Sequence, residues 1–183
     1  MNAIAETQHW LEQAVIGLNL CPFARAVHIK RQIRWFESEA RDAQALLDDL
    51  VRELQFLADA NPEKVDTTLL IHPHALSDFL DYNDFLDVAD AAVEQLGYAG
   101  LLQVASFHPD YRFEGAADDD VGNFSNRSPY PMLHLLREES IARAVDAYPD
   151  AATIYERNID TLNRLGTDGW HRLMSGAGGS PGK

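Results

Sequence analysis

Thr67-Thr68-Leu69-Leu70-Ile71-His72-Pro73 (TTLLIHP) is an apolar run closed by a histidine and a proline. Nearly continuous in apolar and β-branched residues, and too short for a helix, it predicts a strand buried on both faces. A second stretch repeats the plan: Leu101 to Phe107 (LLQVASF) runs into His108-Pro109-Asp110-Tyr111. Between them Phe85, Val88, Ala89, Ala92, Val93 and Leu96 recur at helical spacing, and Gly97 stands where a helix commonly ends. Upstream, Ile33 to Ser38 (IRWFES) has the β-branched and aromatic content of a strand. Ala43, Leu46, Leu47, Leu50, Val51, Leu54 and Leu57 then mark a long helix, closed by Asn61-Pro62. The order is β-α-β-α-β. It predicts an α/β fold with a small, mostly parallel sheet of three or more strands and right-handed crossovers. The same elements also fit a ferredoxin-like α+β arrangement with a mixed sheet. In the parallel arrangement His72 and His108 leave the sheet at one edge, where open α/β sheets place their ligands.

Working outward, Leu11, Ala14, Val15 and Leu18 predict an amphipathic N-terminal helix that Pro22 terminates. After the third strand come a long loop from Pro109 to about Asn126, a helix from about Met132 to Tyr148, and a final helix carrying Ile154, Ile159, Leu162 and Leu165 with Pro149 in its first turn. A chain of 183 residues fits one globular domain, read as 1–174, followed by a Gly/Ser-rich tail, 175–183, expected to be disordered. The net charge of −14 argues against binding the phosphate backbone of nucleic acids and against anionic membrane surfaces. A single cysteine excludes an internal disulfide. No basic leader and no apolar stretch of about 20 residues is present, so a cytoplasmic protein is expected.

Three groups of residues carry chemistry. Asn126-Arg127-Ser128-Pro129-Tyr130-Pro131 precedes the predicted helix from Met132. Asn126 or Ser128 as its cap would leave free backbone N–H groups facing an anion, and Arg127 beside them can grip a carboxylate or phosphate with parallel hydrogen bonds. Arg137, about three helical turns on, reaches the same place only if the chain folds back. The plainer reading is that Arg127 pairs with a carboxylate such as Asp110 and pins the loop. The second group is His108 with Asp110, an acid–base residue and its orienting carboxylate if the Pro109 turn brings the two together. Cys21 is a buried apolar residue, a nucleophile beside one of these histidines, or a soft metal ligand. The third is His72-Pro73-His74, two imidazoles that can point the same way on an extended segment. With His108 and Cys21 they would form a transition-metal or haem site. Otherwise each histidine caps a strand end. Asp118, Asp119 and Asp120 read as a solvated loop tip. His134 reads as a packed histidine within the later helix, and His9, His28 and His171 stand in no informative context. No dinucleotide fingerprint, P-loop or standard zinc spacing is present.

Gly17 to Ala24 (GLNLCPFA), TTLLIHP, Ala105 to Tyr111 (ASFHPDY), Asn126 to Glu138 (NRSPYPMLHLLRE) and the late Glu156-Arg157-Asn158 resemble a bacterial domain-of-unknown-function family over about Trp10 to Gly166. The resemblance implies one compact domain and assigns no catalytic role. From the residues themselves, the leading expectation is an enzyme acting on a small anionic substrate through His108, Asp110 and Cys21, with Arg127, Ser128, Asn126 and Arg137 holding the anion. A metal- or haem-binding protein and a noncatalytic interaction module are the alternatives.

Overall fold

The computed structural model describes residues 2–175; the rest of the Gly/Ser-rich tail lies outside them. An N-terminal helix α1 (Ala3–Trp10) continues through a π-helical turn, Leu11–Ile16, and is followed by a short α2 (Ala24–Ile29). Then come β1 (Ile33–Glu37), α3 (Ala43–Asp59), β2 (Thr67–Ile71), α4 (Phe79–Gln95), β3 (Leu102–Phe107), a 3-10 turn (Val121–Asn126), β4 (Met132–Arg137), α5 (Glu138–Ala147) and α6 (Ile154–Met174). The β-α-β-α-β core of the sequence is therefore present, and the fold is α/β with one four-stranded sheet.

The sheet order is β1-β2-β4-β3. β1 and β2 pair in parallel, while β4 runs antiparallel to both β2 and β3. The sheet is thus mixed rather than mostly parallel in its pairing. β2 and β3 still point the same way, because each opposes β4, so His72 and His108 do leave at one edge.

β4 corrects an expectation. Met132 to Arg137 (MLHLLR) is strand, and only Glu138 onward is helix. Met, Leu and Arg are good helix formers, but this segment fills the slot between β2 and β3. There its backbone is paired on both sides, and pairing overrides propensity. Met132, Leu133 and Leu135 are fully buried.

The two faces of the sheet carry separate cores. Leu70, Leu133, Leu135 and Leu102 face α3 and α4, packing against Leu46, Leu50, Leu54, Leu57, Tyr82 and Phe85. Leu69, Ile71 and Met132 face the other way, toward Trp10, Leu11 and Val15 of the N-terminal segment and Leu162 and Trp170 of α6. α3 is capped by the Asp42 side chain and is tied to β1 through a two-pronged pair, Arg34 Nε to Glu53 Oε2 at 2.6 Å and Nη2 to Oε1 at 3.0 Å. α6 is not continuous: Gly166, at φ 66° and ψ 173°, breaks it. That backbone conformation is essentially confined to glycine.

Candidate functional site

At the shared sheet edge the two histidines are sealed, not open. His72 and His108 are fully buried, each beside the Tyr82 ring of α4, at ring separations of 5.9 and 5.0 Å. A carbonyl only accepts, so the hydrogen bond from His72 Nδ1 to the Ala75 oxygen, 2.9 Å, places a proton on Nδ1. Its Nε2 is then a buried acceptor without a partner. His108 donates from Nε2 to the Leu76 oxygen at 3.1 Å, and its Nδ1 accepts from the Asp110 backbone N–H at 3.1 Å. Both rings thereby hold the Pro73–Ser77 turn, in which Leu76 takes a left-handed conformation at φ 55°. Tyr82 donates to the Met132 carbonyl at 2.8 Å and accepts from the Phe107 N–H at 3.0 Å, joining β4 to β3 at the same level. Burial pushes the His72 pKa down to about 4 and lowers that of His108. Both are neutral near pH 7.

Several expected juxtapositions are not made. The Pro109 turn presents Asp110's backbone N–H to His108, where a carboxylate partner was expected. His74 is exposed while His72 is buried, because the chain turns at Pro73 and does not stay extended. Cys21 packs on the α1/α6 face of the sheet, away from His72, Tyr82 and His108, and burial raises its thiol pKa. Among the described residues no three His, Cys, Asp or Glu side chains come together as metal ligands. Asn126 and Ser128 cap no helix, since β4 follows them: Asn126 Nδ2 donates to the Ser106 carbonyl at 3.0 Å and Ser128 Oγ to the Tyr130 carbonyl at 2.6 Å. Arg137 stands at the far end of β4, donating to the carbonyls of Ala60 and Val65. His134 is packed as expected, though in a strand, with Nε2 2.8 Å from Thr67 Oγ1.

A larger open space lies on the opposite face. A cleft of about 690 Å³ is bounded by α1, the Pro109–Pro129 loop and the end of α6. α1 contributes Glu6, His9 and Trp10, at i, i+3 and i+4. Beyond the Gly166 break, α6 contributes Thr167, Trp170, His171 and Met174, again one helical face. The loop contributes Asp110, Asp119, Phe124, Arg127 and Ser128. His9 and His171, uninformative in sequence, thus line one cleft from opposite ends of the chain.

The loop is held in shape by its own polar groups. Buried Asn123 accepts from the Phe113 N–H at 3.0 Å and donates to the Ala117 carbonyl at 2.8 Å. The three consecutive aspartates divide their roles: Asp118 pairs with Arg112, Asp119 borders the cleft, and Asp120 accepts from the Gly122 N–H. Phe124 is buried against Trp170, stacked at 5.2 Å, and the Arg127 guanidinium lies over the Phe124 ring at 5.1 Å. Arg127 Nε donates to the Tyr111 carbonyl at 3.0 Å and Nη2 to the Asp118 carbonyl at 2.7 Å. It does pin the loop, but through carbonyls. No carboxylate among the described residues stands within ion-pair distance, 4.0 Å, of its guanidinium.

The sequence pattern of a family described as a protein of unknown function, DUF1415, matches residues 2–172. The chain belongs to that family. No curated protein and no solved structure matches it. In this DUF1415 chain, Arg127 and Asp110 border both the large cleft and a smaller one of about 380 Å³ lined by Asp78, Phe79, Leu80, Arg112 and Asp118. There Asp78 already caps the N-terminus of α4 by accepting from Leu80 and Asp81, and Arg112 is paired with Asp118. Arg127, Asp110 and Asp119, which make no ion pair among the described residues, all border the larger cleft. No helix among the described residues is long and apolar enough to cross a membrane.

Proposed function

We propose that this protein binds a small organic anion, a carboxylate or phosphate, in the cleft between α1, the Pro109–Pro129 loop and the end of α6, and acts on it by proton transfer. The observation that carries the reading is Arg127. A guanidinium withdrawn from water is best served by an acidic partner. Here carbonyls and the Phe124 ring fix its position and leave its charge uncompensated, beside a cleft, in a protein of net charge −14. Such a group is pre-organised for an anion, and little side-chain freedom is lost when one binds. Ser128 and Asp110 border the same space. Imidazoles reach it from His9 and His171, and these replace His108 as the groups placed to move a proton. His108, with both nitrogens engaged, positions Asp110 from behind. Cys21 is a packing residue.

Thermal unfolding in the presence of benzoate, succinate and phenyl phosphate tests the reading. A ligand that binds the native state raises Tm, by an amount equivalent to about 2.7 kcal/mol at a hundred times its Kd. At least one of these anions is expected to stabilise the wild type and Arg112→Gln but not Arg127→Gln. Stabilisation that survives Arg127→Gln, or none with any anion, overturns it.

A further inference from the structure

We infer that the ligand is a zwitterion, an α-amino acid with a large apolar side chain; this rests on the anion reading and names its substrate class. Three observations converge on it. First, the cleft is not uniformly cationic. Glu6, Asp110 and Asp119 line it together with Arg127. Glu6 accepts from the Tyr130 hydroxyl at 2.9 Å, but the carboxylates of Asp110 and Asp119 make no ion pair or side-chain hydrogen bond among the described residues. Second, Asp110 and Arg127 border the same two clefts and yet stand more than 4.0 Å apart. Opposite charges left unbridged in this way invite a molecule that carries both signs, its carboxylate toward Arg127 and its ammonium toward Asp110. Third, much of the remaining lining is apolar and partly aromatic, from Phe124, Trp170 and Met174, which suits a hydrophobic side chain.

Long-range electrostatics favour the same class. A protein of net charge −14 repels a net anion during encounter. A molecule of zero net charge escapes that barrier and still presents a carboxylate at contact range.

Isothermal titration of the full chain with L-phenylalanine, L-leucine, 3-phenylpropanoate and 2-phenylethylamine decides it. An amino acid is expected to bind, with each single-charge analogue of phenylalanine weaker by about tenfold to a hundredfold, the value of one charge-assisted contact. Arg127→Gln should abolish binding of the amino acid and of phenylpropanoate. Asp110→Asn should weaken the amino acid while leaving phenylpropanoate unchanged, a pattern that a merely misfolded loop would not give. Phenylpropanoate binding as tightly as phenylalanine overturns the zwitterion and leaves the anion reading standing. Phenylethylamine binding alone overturns both. Silence from both amino acids overturns the zwitterion, and the anion titrations above then judge the broader reading by themselves.

Discussion

The two faces of the sheet make different use of similar amounts of apolar side chain. Toward α3 and α4 the packing is aliphatic and closed: Leu46, Leu50, Leu54, Leu57, Leu70, Leu133 and Leu135 are fully buried, and His72 and His108 are sealed in with Tyr82. Toward α1 and α6 it is built on Trp10, Phe124 and Trp170, flat rings that meet at edges and faces and leave a cleft between the helices and the loop. The closed face carries stability, and the open one keeps unpaired charge next to empty space.

The largest effect should come from the closed face. Leu70→Ala removes a fully buried side chain and should cost about 2–5 kcal/mol by chemical denaturation, with Leu133→Ala similar. A loss under about 1 kcal/mol would mean that this core is less tightly packed than it looks.

Acid attacks the sheet through its buried imidazoles. The pKa values of His72 and His134 are about 4 in the folded chain against an ordinary 6.5. The unfolded chain therefore binds more protons across that window. The stabilising effect is complete above pH 6.5 and is lost as pH falls toward 4, by up to about 1.4 kcal/mol per pH unit for each group. Denaturation at stepped pH should show that slope, and His134→Leu should reduce it. An unchanged slope in the variant would remove His134 from the account.

Gly166→Ala links the two faces, since it forces a side chain into a backbone region reserved for glycine. We expect a loss of about 1–3 kcal/mol. It should also abolish ligand-induced stabilisation, because Thr167, Trp170, His171 and Met174 would no longer face the cleft. Tyr82→Phe, which deletes the hydroxyl between Met132 and Phe107, should cost a similar 1–3 kcal/mol, about what an unpaired buried backbone group costs, with ligand binding retained. The smallest change in stability belongs to the open face. Arg127→Gln should shift unfolding by no more than about 1 kcal/mol, while removing anion binding. A larger loss would place Arg127 with the structural residues.

Much of the closed face was legible in the sequence. Leucine and alanine at helical spacing gave α3 and α4, and the short runs before His72 and His108 gave β2 and β3. What misled was the meaning of those histidines. A histidine at a strand end in an α/β protein suggests a site, but Tyr82 and, for His108, the Leu76 carbonyl lie too far along the chain for their capture of the rings to be read from spacing. β4 was read as helix because MLHLLR has no β-branched residue, and its strand form comes from neighbours that only the folded sheet supplies. The supposed anion-binding helix end fell with it, and the proposal for Arg127 now rests on its place at the cleft instead of beside a helix start. His9 and His171 left a fainter trace. Each sits beside a tryptophan on a helix, and the second follows a glycine that breaks one.

The order β1-β2-β4-β3 also bears on how the chain comes into being. During synthesis β2 finds β1 already made, but β3 emerges with no strand to pair with, because its only neighbour, β4, follows it across the whole Pro109–Pro131 segment. At roughly 5–20 residues per second, β3 and the apolar side of α4 wait seconds on the ribosome with open hydrogen-bonding edges. A nascent chain stopped before Met132 thus leaves β2 and β3 without their shared partner, and the arrival of six residues, MLHLLR, pairs one edge of each at one stroke.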